Sequence, residues 1–209
     1  MDKTAVWDVI HSERKSLADD LARLSSNQWT TPSLCSGWTV RDVLAHMTAT
    51  ARMTPPAFFG KMLMSGFSFS KMASSDIEAQ KGATPDETLA RFAAEVNSSS
   101  HPPGPNDSWL GETLVHSEDI RKPLGIAHAY PTAAAVQVAD FYKGSNLLIG
   151  AKSRIEGLTL RATDASWQHG EGPEVSGPIM SLVVAMTGRK AAVRDLSGAG
   201  VPTLEARCQ

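Results

Sequence analysis

Two side chains four residues apart can share one cation when the chain between them is helical, and Glu112 and His116 have that spacing. On an α-helix such residues lie on one face with Cβ atoms about 5–6 Å apart, so a carboxylate and an imidazole can converge on a divalent metal. Asp119 follows three residues later, near the same face. The pair can equally serve as an ion pair, and two donors do not complete a metal site; a further ligand has to come from elsewhere in the chain. Six histidines are available. His46, beside Leu44 and Met47, reads either as a packed histidine or as a ligand that faces Glu112 and His116 from a second helix.

These residues need elements to hold them. Leu114 and Ile120 give the Glu112/His116 segment an apolar side, which predicts a helix over about 108–121 that stops at Pro123 and Gly125. Thr39-Val-Arg-Asp42 has the spacing of a capping box, so the helix carrying His46 should begin there with Val40, Val43, Leu44 and Met47 inward. Before it, Val6, Ile10, Leu17, Leu21 and Leu24 recur at a helical period over about 4–24. Trp29 and Trp38 bracket a loop that they should pack against its neighbours. Thr84-Pro-Asp-Glu87 opens another helix, and the loop after it should leave His101 in solvent. An Ala-rich helix is expected over about 132–148.

Phe58, Phe59, Met62, Met64, Phe67, Phe69 and Met72 form a soft aromatic region. It reads as core packing and a cover over the helices, or as the wall of an organic-substrate pocket. After Gly150 the pattern changes. A short strand at 158–162, a strand and turn over 167–172 and a segment at 174–176 that completes a hairpin with it are followed by an apolar helix from Ile179 to Met186. The expected architecture is therefore mainly α: a four-helix bundle over residues 1–150, then a small α/β subdomain over 151–209 that packs on it.

Composition narrows the function. With 42% hydrophobic and 20% charged residues, the 209-residue chain should bury an ordinary core. A formal charge of -2 gives no attraction for a phosphate backbone, so nucleic acid is not an expected partner. The absence of a long apolar run argues against membrane insertion, and the charged N-terminal segment does not resemble a signal peptide, so a cytoplasmic protein is expected. Cys35 and Cys208 form no cysteine cluster. A bundle can satisfy its apolar surface internally, which favours a monomer over a homodimer.

Three stretches carry a family likeness: Trp29-Thr-Thr-Pro-Ser-Leu-Cys-Ser-Gly-Trp-Thr-Val-Arg-Asp-Val-Leu-Ala-His46, Gly111-Glu-Thr-Leu-Val-His-Ser-Glu-Asp-Ile-Arg-Lys-Pro-Leu-Gly125, and Glu174-Val-Ser-Gly-Pro178 with Thr187-Gly-Arg189. With them the chain resembles the mycothiol-dependent maleylpyruvate isomerase-like proteins of the DinB/YfiT-like helical-bundle superfamily. The resemblance implies a DinB-like metal-binding bundle and a small sterol-carrier-like C-terminal domain. It implies a divalent metal on His46, Glu112 and His116; Zn2+ leads because two imidazoles and a carboxylate suit an open catalytic site, with Ni2+ another choice.

Mycothiol, a low-molecular-weight thiol, would be the cofactor and a small electrophile the substrate. A divalent cation favours thiolate over thiol, so the thiol becomes a nucleophile for transferase or isomerase chemistry. Arg189 would meet an acidic substrate or, in the plainer reading, cap a helix end. Asp42 is expected as a cap and Asp119 as a partner of the ligands rather than a ligand. A non-enzymatic metal or small-ligand binding or sensor protein is the alternative.

Overall fold

The computed structural model describes residues 1–147 and 149–208. Chain contacts divide it into two compact units, one spanning Asp2–His128 and the other running from Ala129 onward with Met1 included. The division expected at residue 150 thus falls between His128 and Ala129. Together the units make a mainly helical fold with a small mixed β-sheet.

The first unit holds α1 (Lys3–Leu21), α2 (Val40–Arg52), α3 (Pro55–Met64), α4 (Phe69–Lys81), α5 (Pro85–Ala93) and α6 (Asn106–Leu124). The start of α2 follows from its sequence. Thr39 accepts the Asp42 N–H, and the Asp42 carboxylate accepts the Thr39 N–H at 2.9 Å, which satisfies two donors a helix end would otherwise leave open. Val40, Val43, Leu44 and Met47 are fully buried as their spacing requires, in one cluster with Leu17, Leu21, Trp29, Phe92 and Ile120. That cluster joins α1, α2, α5 and α6, and so fixes the helices that carry His46, Glu112 and His116.

A buried ionic network ties α1 to α6. Arg121 donates to Asp20 at 2.8 Å and to Ser16 at 3.0 Å, and Glu13 lies 3.7 Å from it and 2.8 Å from His128. The end of α6 is equally local. Gly125 takes the left-handed conformation at φ 67°, which a glycine adopts without steric penalty.

Three expectations for this unit need correction. The Phe/Met-rich segment is not core over most of its length: Met62 is the one buried residue of α3, whereas Met64 is 88% and Phe67 71% exposed. The reason is that α3 packs mainly on its successor α4, so its outer side meets water. His101 is half-buried rather than free in solvent, stacked between Trp7 and Trp109 with ring centroids 5.6 Å from each. The Ala-rich helix, expected in the bundle, belongs to the second unit.

That helix, α7 (Thr132–Tyr142), ends before Lys143 and Gly144; Leu148, the expected end, lies outside the described residues. Its buried Ala134, Ala135, Val138 and Ala139 form a narrow face, and α7 packs against α9 (Ile179–Met186). The unit also contains α8 (Ala151–Ile155), α10 (Val201–Ala206) and strands β1 (Thr159–Ala162), β2 (Gln168–His169) and β3 (Glu174–Gly177). β1 is central, antiparallel to β2 and parallel to β3. The expected hairpin between the last two strands is replaced by a crossing. At Gly170 and Gly172 the chain passes so close to the Gly157 and Leu158 carbonyls that a Cβ would lie 2.2 Å from their oxygens, and β3 then emerges on the far side of β1.

Candidate metal centre

His46 comes from the middle of α2, and Glu112 and His116 come from successive turns of α6. The packing of the two helices brings ligand atoms of all three within 4.8 Å of one another. The His46 and His116 rings meet edge to face at 5.0 Å, and Trp38 covers both, with centroids 5.0 Å from His46 and 6.4 Å from His116. The facing-helix arrangement required of the third ligand is therefore present.

Glu112 carries an observation of its own. Its Oε1 is buried with no hydrogen-bond partner, a costly condition for a carboxylate oxygen. Burial raises its pKa, opposed by the charges of His116 and Arg14 and by hydrogen bonds from Thr50 and Thr113. An acceptor left open in a cluster with two imidazoles is what a divalent cation satisfies, so the donor set fits such an ion.

His116 is held through its other side. Its Nδ1 lies 2.9 Å from the Asp119 carboxylate, one turn later on the same helix. Cys35 donates to the same oxygen at 3.0 Å, and its sulfur is 3.7 Å from Nδ1. Burial alone would lower the pKa of His116, but the hydrogen bonds to Asp119 and Cys35 and the charge of Asp119 prevail, and it is pushed up to about 10. With Nδ1 engaged by a carboxylate, Nε2 is the nitrogen left for a metal, as in carboxylate–histidine–metal arrangements.

Cys35 reaches this place from a loop. The Thr31 and Trp38 carbonyls accept the Val40 and Ser33 N–H groups, Gly37 turns with φ 78°, and the Ser33 hydroxyl accepts the Cys35 N–H while donating to the Trp38 carbonyl. The loop is then fastened to α6 by the Leu34 N–H, which donates to the Asp119 carbonyl at 3.2 Å. Cys35, Asp119 and His116 form a second group whose potential ligand atoms lie within 4.8 Å of one another.

Sequence reasoning identified His46, Glu112, His116 and Asp119, and Asp42 as a cap. It missed Cys35 and also Arg14, which is 1% exposed, donates to the Ser98 carbonyl at 2.9 Å and acts on Glu112 by its charge. A charged residue inside the apolar period of α1 was the available signal for Arg14. Arg189 lies in the second unit, where it precedes a 3-10 turn at Lys190–Asp195 and donates weakly to the Thr187 carbonyl at 3.4 Å. Among the described residues, no helix is long and apolar enough to cross a membrane.

Residues 10–101 match the sequence profile of the mycothiol maleylpyruvate isomerase N-terminal domain, a span that contains Cys35, Trp38 and His46 and ends before Glu112. No curated protein sequence matches the chain significantly. The crystal structure of the mycothiol-dependent maleylpyruvate isomerase is similar with a TM-score of 0.63 and 16% identity, over 95% of this chain and 93% of that one. A histidine-to-alanine variant of that enzyme matches with the same TM-score and coverage at 15% identity. At these identities the likeness to the solved structures is one of fold. The chain thus carries a match to the mycothiol maleylpyruvate isomerase N-terminal domain over residues 10–101 and shares the fold of the solved isomerase.

Proposed function

We propose that this protein is a divalent-metal-dependent enzyme that uses mycothiol as a nucleophile towards a small electrophile, as a transferase or isomerase. His46, Glu112 and His116 would hold the metal, with Zn2+ preferred and Ni2+ an alternative. The observation that carries the reading is the buried, unpartnered Glu112 Oε1 in a cluster with two imidazoles. The match of residues 10–101 to the mycothiol maleylpyruvate isomerase N-terminal domain supports the thiol, as does the shared fold with a solved structure named as mycothiol-dependent. On this reading the first unit is a DinB-like bundle and the second a sterol-carrier-like domain.

When bound, the cation would stabilise thiolate over thiol near neutral pH. The chain's own residues do the rest. Asp119 fixes the orientation and tautomer of His116. Arg14, buried and close enough to act on Glu112, favours the ionised carboxylate that a ligand must be. Trp38 lies over both imidazoles and limits water there. Arg189 is proposed to fork a substrate carboxylate.

The test is turnover. Metal-loaded protein, mycothiol and a panel of small activated alkenes and alkyl electrophiles should give thiol-dependent product, reduced more than about 100-fold by Glu112→Gln, which loses a charged ligand. Arg189→Ala should raise KM for acidic substrates more than it lowers kcat. Mycothiol binding without turnover across the panel would favour the binding or sensor role, and no binding of the thiol would contradict the proposal.

A further inference from the structure

Cys35 has no place in the function proposed above, yet it is one corner of a compact triangle of metal-ligating atoms. Cys35 Sγ and Asp119 Oδ2 are 3.0 Å apart, His116 Nδ1 and the same oxygen 2.9 Å, and Sγ and Nδ1 3.7 Å. Around a tetrahedral zinc ion with metal–ligand distances of about 2.0–2.3 Å, donor atoms stand about 3.3–3.6 Å apart. Each edge of the triangle therefore needs to change by about half an ångström or less. The two protons that now bridge sulfur and nitrogen to the carboxylate are the ones a cation would displace.

We propose that Cys35, Asp119 and His116 Nδ1 form a second, sulfur-containing ligand set for a thiophilic divalent cation, sharing His116 with the first set and used in place of it. Sharing makes the sets exclusive. A cation on Nδ1 removes the proton that Asp119 now holds and ends the contact that orients Nε2, and one cation on each nitrogen would require the ring to lose both protons. The chemistry of the two sets differs: the first offers two imidazoles and a carboxylate, the second a thiolate. A soft ion such as Cd2+ gains most from sulfur, harder ions stay with His46 and Glu112, and borderline Co2+ reports which set it occupies through its spectrum.

Access and anchoring are both provided. Cys35 is half-buried rather than sealed, and its loop is pinned by the Leu34–Asp119 backbone bond on the helix that supplies the other two donors. The proposal shares His116 with the metal-dependent function and otherwise stands on separate residues.

Titration of the full chain with Co2+, in a Cys208→Ser background that leaves one thiol, tests it. The cobalt–thiolate charge-transfer band in the near ultraviolet should appear with binding, vanish in Cys35→Ser, and persist or grow in His46→Ala, where the competing set is impaired. Glu112→Gln provides the same comparison should the His46 variant fail to fold. Cobalt bound without that band in both wild type and the impaired first-set variant would overturn the inference, as would a band that survives Cys35→Ser. Cobalt retained by Cys35→Ser supports the first set independently; cobalt lost from it while wild type shows the band would contradict the first set and support the second. Failure of wild type to bind cobalt would overturn both.

Discussion

The backbone N–H of Leu34 donates to the carbonyl oxygen of Asp119 across 3.2 Å, and that carbonyl is the one that Pro123 leaves without its helical partner. In a regular α-helix, residue 123 would donate to residue 119; proline has no N–H to give. The break in the ladder of α6 thus becomes the attachment point of the loop that brings Cys35 and Trp38 to His116.

Pro123→Ala supplies the missing donor and sets it in competition with Leu34. The expected outcome is a looser loop over 31–38, with exchange of the Leu34 amide faster by about fivefold, the equivalent of about 1 kcal/mol for one hydrogen bond. Hydrogen exchange resolved to that loop measures it. An unchanged Leu34 amide would mean that the loop is held by its own hairpin-like bonds alone.

Asp119 is the orienting partner of His116, so Asp119→Ala should weaken divalent metal binding by about 10- to 100-fold, the usual cost of losing such a partner. Competition with a chromophoric chelator gives the number, and circular dichroism on the same sample separates it from unfolding. Affinity equal to wild type would remove Asp119 from the site.

Proton linkage has a definite sign. In the metal-free chain His116 keeps its proton to about pH 10, so ligation must displace it and apparent metal affinity should rise about tenfold per pH unit from neutrality towards that value. Burial raises the pKa of Glu112 as well, which acts in the same direction. The metal-free fold behaves oppositely: a raised folded-state pKa contributes stability that is complete below the ordinary value of 6.5 and is lost as pH rises towards 10. Melting temperatures with and without metal, followed from pH 6 to 9, should therefore diverge; parallel curves would contradict the account.

The candidate ligands were legible because one helical turn separates Glu112 from His116 and because a capping box announces the helix that carries His46. Cys35 was not, since its 84-residue separation from Asp119 is bridged by a loop closure that no periodicity records. The same limit explains the Ala-rich helix. Ala135, Val138 and Ala139 say that a narrow face is buried, but nothing local says that the partner is α9 rather than a bundle helix. His101 looked exposed because Pro102, Pro103 and Gly104 mark a loop; its stacking depends on Trp7, which is distant in sequence. In the sheet, alternation located the strands while the glycine crossing decided their order.

Arg121 tests the support beneath the site. It is fully buried and bonded to Asp20 and Ser16 beside Glu13. Arg121→Ala leaves the buried Glu13 carboxylate with His128 alone and removes the donor to Asp20, and should cost about 3 kcal/mol in stability, the lower end of the range for breaking a buried pair from one side. Urea denaturation measures the loss, and a cost below about 1 kcal/mol, as for an exposed pair, would show that the network is not what holds α6 to α1.

His116 is common to every ligand set at this centre, so the amount of divalent metal retained by wild type and by His116→Ala is the most direct measurement. Elemental analysis after exposure to Zn2+ or Ni2+ and removal of free ion should find about one tightly held equivalent in the wild-type chain and none in the variant, since a first-row cation needs its donors at about 2 Å. Wild-type protein that emerges metal-free, or His116→Ala that keeps the ion as tightly, would contradict a metal centre at this place in the fold.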